Sequence, residues 1–272
     1  MRFIIPGDED LKRYIMFLTV FLSILTCVSI ALFPITLERN LLPKDNFVTL
    51  TKSVIIEPDN LSDSGYESIL DSLSELEIFR SQASGLTFRS VNGKSYILTA
   101  DHFCDIGSSQ IPSLGISKNT YEKITASDLS GDIWDTQVVF YNALSDLCLL
   151  ESNMEIQKEI PLATKYPKMG DTVYAVAAPR GVSSEGVALH FEGTFSGCDT
   201  NDMCFFTLPA TFGSSGGIVL NHNNEIVGMI QMTVGGIDNV SLGVGVSTIK
   251  GFLLDAEEEL GVSLVKHPSI FP

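Results

Sequence analysis

The sequence predicts a mostly antiparallel β protein, a barrel or a sandwich, that follows an apolar amino-terminal segment and closes on one helix. Three observations carry this reading. Short runs rich in Val, Ile, Phe and Thr recur between turn signals from Leu86 to Val246. After Ser81, only Thr248 to Leu260 spaces its apolar residues as a helix does. Ahead of both, Tyr14 to Phe33 runs for twenty residues without a charge.

Residues 1–13 form a short amino-terminal tail, and residues 14–37 an apolar segment. At about 1.5 Å per residue, the run YIMFLTVFLSILTCVSIALF is long enough to cross a hydrocarbon core of about 30 Å. Lys12 and Arg13 precede it and Glu38 and Arg39 follow, which places the amino terminus in the cytoplasm and the remainder outside. The segment reads as a single-pass membrane anchor. A cleaved signal peptide is the competing reading, because Ser29 and Ala31 stand at the spacing a signal peptidase accepts. Either way the rest of the chain is expected on the extracytoplasmic side of a membrane. Residues 38–80 read as a linker: Pro43 and Pro58 interrupt the pattern, and Tyr66 to Phe79 has roughly helical apolar spacing, with Asp63 or Ser64 as a cap for one short helix.

Residues 81–272 form the globular part. Strands are expected at Leu86 to Arg89, Ser95 to Thr99, Thr136 to Tyr141, Leu147 to Leu150, Thr172 to Ala177 and Gly186 to Phe195. Further strands are expected at Phe205 to Leu208, Ile218 to Leu220, Ile226 to Met232 and Val240 to Val246. Asn92-Gly93, Gly170-Asp171 and Asn221 to Asn224 suit hairpin turns. In the final helix Ile249, Phe252, Leu253 and Leu260 form the apolar stripe, and Asp255 to Glu259 an acidic, solvated face.

Composition excludes several functions. With 17 Lys and Arg against 33 Asp and Glu the formal charge is −16, which is wrong for a protein whose affinity must come from neutralising nucleic-acid phosphates. At 44% hydrophobic and 18% charged residues, disorder is excluded for most of the length. Cys27, Cys104, Cys148, Cys198 and Cys204 contain no C-x-x-C pair, so no structural zinc site is expected, and no metal or cofactor is implied. With Cys27 in the apolar run, the other four permit two bridges in an oxidising compartment.

Hydrolysis of an amide without a metal needs a nucleophile, a base and donors for the oxyanion. Three segments supply them in order. Ile97-Leu98-Thr99-Ala100-Asp101-His102 ends a strand on an imidazole. Ser145-Asp146-Leu147-Cys148-Leu149-Leu150 opens an apolar strand on a carboxylate, which Asp132 and Asp135 rival without a following buried strand. Gly213-Ser214-Ser215-Gly216-Gly217 lets the backbone turn tightly around a hydroxyl.

The order His102, Asp146, Ser215, with Thr-Ala-x-His around the first and Gly-x-Ser-Gly-Gly around the last, resembles the trypsin-like serine peptidases, and most nearly their HtrA type. Gly170 to Gly181 is similar to that group's segment after the aspartate, Asn224 to Met229 to its hairpin after the serine, and Gly243 to Lys250 to its last strand and closing helix. The resemblance covers residues 81–262 and implies two antiparallel six-stranded barrels with a cleft between them; the HtrA type's usual PDZ domain is not expected, because the tail after residue 262 is too short for one. It assigns Ser215 as nucleophile, His102 as general base and then acid, and Asp146 as the residue that orients the imidazole. The amides of Gly213 and Ser215 would form the oxyanion hole, with Ser214 completing the turn.

Departures from the family pattern matter too. The residues flanking His102 are Asp101 and Phe103, where relatives have alanine and a bridged cysteine. Cys104 and Cys148 each follow a member of the catalytic pair by two positions, which implies a bridge, two buried thiols being the alternative. Cys198 and Cys204 suit a bridge at a hairpin tip. Ser214 replaces the aspartate that, in digestive relatives, pairs with a newly cut amino terminus, so the domain should be competent without that step. By the resemblance the primary substrate pocket is lined by Pro209, Ala210, Gln231, Met232, Thr233, Gly243 and Gly245. It has no carboxylate, which favours small or medium apolar side chains. The sequence thus predicts a membrane-anchored or exported serine endopeptidase acting on proteins or peptides, the alternative being an inactive domain of the same fold that binds or senses.

Overall fold

The computed structural model describes residues 16–21, 43–56, 76–105, 120–156 and 158–265. The chain divides after Leu41 into two units. Within the first, residues 16–21 are helical and exposed; the expected 14–37 anchor otherwise lies outside the described residues. No helix among the described residues is long and apolar enough to cross a membrane.

The second unit holds two closed antiparallel barrels. In the first, β1 (Phe47–Ile56), β2 (Leu76–Val91), β3 (Lys94–Thr99), β4 (Thr120–Ser127), β5 (Ile133–Asn142) and β6 (Leu147–Ser152) close in the order β1-β2-β3-β6-β5-β4. In the second, β7 (Thr172–Ala177), β8 (Leu189–Cys198), β9 (Met203–Phe206), β10 (Ile218–Leu220), β11 (Ile226–Thr233) and β12 (Ser241–Gly245) close as β10-β11-β12-β9-β8-β7. Helix α1 (Asp101–Cys104) follows β3 and α2 (Val246–Leu260) follows β12.

The linker expected over 38–80 is corrected at both ends. Phe47–Ile56 is a full strand, paired with β2 on one side and β4 on the other, and the stretch read as helix enters β2 from Leu76. Pro43 and Pro58 bracket β1 in the sequence rather than interrupt it, as expected of residues that cannot donate to a ladder. Residues 57–75 lie outside the described set.

Turn chemistry behaves as the sequence indicates. Asn92 and Gly93, with φ of 53° and 79°, make the two-residue link between β2 and β3. Strand β6 explains its unbroken apolar run by having two buried faces. Cys148 and Leu150 point into the first barrel, whereas Leu147 and Leu149 join a core shared with Ile218, Met229 and α2. That shared core fixes the barrels against each other, and Ile249, Phe252, Leu253 and Ala256 of α2 are buried in it. The segment between the barrels is stitched to both: Ile160 N–H donates to Phe88 O at 3.0 Å, and Ile226 N–H to Pro161 O at 2.8 Å. Asp202, in the β8–β9 turn, accepts from Thr248 N–H at 2.8 Å, so a carboxylate caps the first turn of α2. Gly261, at φ 67°, ends the helix in the left-handed form that favours glycine.

Candidate active site

His102 is presented by α1, a helix of four residues that could not persist alone. It is held from outside: Cys104 is bonded to Cys148 of β6 with Cα atoms 6.4 Å apart, and Lys52 Nζ of β1 donates to Asp105 O at 2.8 Å. The implied Cys198–Cys204 pair is bonded as well.

Asp146 stands in the β5–β6 turn at φ 51°, a left-handed conformation that aspartate tolerates better than most residues. Its Oδ2 lies 2.8 Å from His102 Nδ1, and its Oδ1 accepts the main-chain N–H of His102 at 2.8 Å. Two donors on one residue therefore fix the carboxylate. Nδ1 facing a carboxylate is the protonated nitrogen, which leaves Nε2 as the acceptor. The hydrogen bond to Asp146 raises the imidazole pKa above its ordinary 6.5, against an opposing effect of burial. The rival acid Asp135 is instead paired with Lys123 at the surface, at 2.9 Å.

The serine loop enters from the second barrel. Gly213 has φ 89° and Gly216 φ 82°, and a Cβ on Gly216 would collide with the Ser84 carbonyl oxygen and the Thr99 hydroxyl. Only glycine allows this loop to press so closely on β2. Ser214 is buried and turns the chain by donating its N–H to Thr211 O at 2.9 Å. Among the described residues, the amides of Gly213 and Ser215 donate to no protein group. Two uncommitted amides flanking a hydroxyl suit a developing oxyanion. The Ser215 hydroxyl itself donates to Gln231 O at 3.3 Å; it makes no hydrogen bond to His102.

Comparison with known proteins bears directly on this arrangement. The trypsin-like peptidase domain matches residues 83–229, more than half of the 272. The chain belongs to the trypsin-like peptidase family. No curated protein sequence matches the chain significantly. Among solved structures it is similar to a serine endoprotease from Yersinia pestis, at 16% identity and TM-score 0.58, over 80% of this chain and 65% of that one. It thus spans just under two thirds of the Yersinia protein. It is also similar to an inactive form of Rv3671c from M. tuberculosis H37Rv carrying a serine-to-alanine substitution, at 11% identity and TM-score 0.55, over 81% of this chain and 91% of that one. At these identities the likeness is one of fold.

Within this trypsin-like peptidase, two of the expected pocket residues, Gln231 and Met232, border one cavity. Gln231 is buried, and its Nε2 donates to Ser145 O at 2.7 Å and Asp146 O at 2.9 Å. It is thus a clamp from the second barrel on the turn that carries Asp146, a role that sequence reading missed. Met232 and Thr233 are exposed, while Gly243 and Gly245 are glycine because β11 and the Tyr166–Asp202 pair crowd them. A cavity of about 410 Å³ is bordered by Leu144, Asp146, Asp202, Gln231 and Met232; Pro209, Ala210, Thr233, Gly243 and Gly245 are not in its wall. Asp101, buried beside His102, has its carboxyl pKa raised, first by burial and then by Asp146.

Proposed function

We propose that this trypsin-like peptidase is a membrane-anchored or exported endopeptidase that cleaves protein substrates through His102, Asp146 and Ser215. The observation that carries the reading is the hydrogen bond between His102 Nδ1 and Asp146, at 2.8 Å, which prepares Nε2 to take a proton. In this mechanism Ser215 Oγ exchanges its hydrogen bond to Gln231 O for one to Nε2, then attacks the scissile carbonyl as its proton passes to His102. The Gly213 and Ser215 amides stabilise the oxyanion. Collapse of the tetrahedral adduct breaks the C–N bond, and the imidazolium gives its proton to the departing amine. Water, deprotonated by the same imidazole, hydrolyses the resulting acyl-enzyme.

A fluorophosphonate probe should label the full chain at Ser215 and leave Ser215→Ala unlabelled; a folded wild type that stays unlabelled overturns the reading. The second reading, an inactive binding or sensing domain, draws on the Ser215 hydroxyl facing Gln231 O, and the same probe decides between them. The absence of a carboxylate among Pro209, Ala210, Gln231, Met232, Thr233, Gly243 and Gly245 supports cleavage after small or medium apolar residues. The uncharged run from Tyr14 to Phe33 and two disulfides support an extracytoplasmic site at a membrane. Extraction of the full chain from membranes by alkaline carbonate would count against the anchor.

A further inference from the structure

Ser84 lies on β2 of the first barrel and is fully buried, with a relative exposure of 0%. All three of its polar groups are engaged. Its N–H donates to Ser215 O at 2.9 Å, and its carbonyl accepts from Thr99 Oγ1 at 2.8 Å. Its hydroxyl accepts from Ala178 N–H at 2.9 Å and lies 2.8 Å from Gly213 O. Chemistry fixes the direction of this relay. An amide can only donate and a carbonyl can only accept, so the hydroxyl proton points at Gly213 O.

The serine loop is held one peptide plane at a time. Phe212 O accepts from Arg180 N–H at 2.6 Å, Ser214 O from Gly217 N–H at 2.9 Å, and Ser215 O from Ser84 N–H at 2.9 Å. Gly213 O accepts from Ser84 Oγ. Because a trans peptide is planar, fixing a carbonyl fixes the direction of the next N–H. Three of these holds come from main-chain amides. The fourth comes from a side chain, and it acts at a glycine with φ 89°, where the backbone has the least torsional resistance of its own.

We infer that Ser84 is a positioning residue for the oxyanion-binding loop, the side chain by which the opposite barrel holds the carbonyl of the peptide plane between the two oxyanion amides. Its hydroxyl touches no reacting atom. The Gly213 N–H lies in the plane of Phe212 O and the Ser215 N–H in that of Ser214 O, so the plane that Ser84 holds joins the two and sets how they are oriented toward one point. This inference rests on the peptidase reading above.

The test is Ser84→Ala in the full chain, beside wild type. Deleting an oxyanion donor outright costs about 10²–10³ in kcat, and misdirecting one should cost less, so kcat is expected to fall about 10- to 100-fold. KM should stay within about twofold, because ground-state binding does not use the oxyanion amides. Affinity for a peptide boronate, which mimics the tetrahedral state, should fall in parallel with kcat. The acid limb of the pH profile should not move, since the pair formed by His102 and Asp146 is untouched. Where Ser84→Ala is not recovered folded, Ser84→Cys, similar in size but a poor donor, carries the same comparison. A folded variant with wild-type kcat and boronate affinity, or one whose loss is confined to KM, overturns the inference. A wild type that no fluorophosphonate labels removes the peptidase reading and this inference with it; a reactive wild type beside an equally reactive Ser84→Ala removes this inference alone.

Discussion

Replacing both members of the Cys104–Cys148 bridge by alanine should weaken the fold by about 5 kcal/mol and silence the site. The bond spans a sequence separation of 44, and the chain-entropy relation gives about 4 kcal/mol for releasing a loop of that size. Both residues are buried in the first barrel, at 2% and 0% exposure, so deleting two sulfurs leaves small voids that add about 1 kcal/mol. For a unit of this size that total corresponds to a melting point lower by roughly 10–20 °C. Trp134 is the chain's single tryptophan and packs against the same core, so its fluorescence during urea unfolding reports the loss directly. The effect on chemistry should exceed the effect on stability. The four-residue α1 is anchored through Cys104, and without that bond His102 loses its fixed relation to Asp146. Fluorophosphonate labelling should therefore fall well below wild type at temperatures where the variant is still folded. A double variant that loses less than about 1 kcal/mol, or that labels at the wild-type rate, refutes this account.

The hydrogen bond from Asp146 raises the His102 pKa above 6.5, and the imidazole must be neutral to accept a proton, so the acid limb of kcat/KM should lie above pH 6.5. Asp146→Asn removes the main cause, which should move that limb to lower pH while kcat falls by about 10⁴; a limb that does not move refutes the coupling. Gly216→Ala must place a Cβ against the Ser84 carbonyl and the Thr99 hydroxyl at φ 82°. It should cost about 3 kcal/mol or more and abolish labelling, and a wild-type melting point would show that the loop does not press on β2 as described.

Strand periodicity and turn residues made most of the second barrel legible, since β7, β10 and β11 are short apolar runs set between glycine and asparagine turns. The relation between His102 and Asp146 was legible because each ends or opens a buried strand. Strand β1 was not, because its flanking prolines mimic linker punctuation and its partners β2 and β4 lie 20 or more residues downstream. Ser84 and Gln231 were hidden for a different reason. A serine or glutamine in a strand carries no local signature, and each takes its role from carbonyls that only the docking of the two barrels brings near. Reading Gln231 as pocket wall placed it correctly beside the site and missed what its amide holds.

The division of labour between the barrels also orders events in time. A chain that emerges amino end first completes β1–β6, with His102 and Asp146, before β10 and β11 exist. Until the second barrel has appeared, the turn bearing Asp146 lacks its Gln231 clamp, and Ser84 on β2 has no serine loop to hold. On the reading proposed above, the nascent polypeptide cannot cleave its surroundings while it is being synthesised or exported. On that reading, hydrolytic capacity waits until the later half of the molecule closes onto the earlier one.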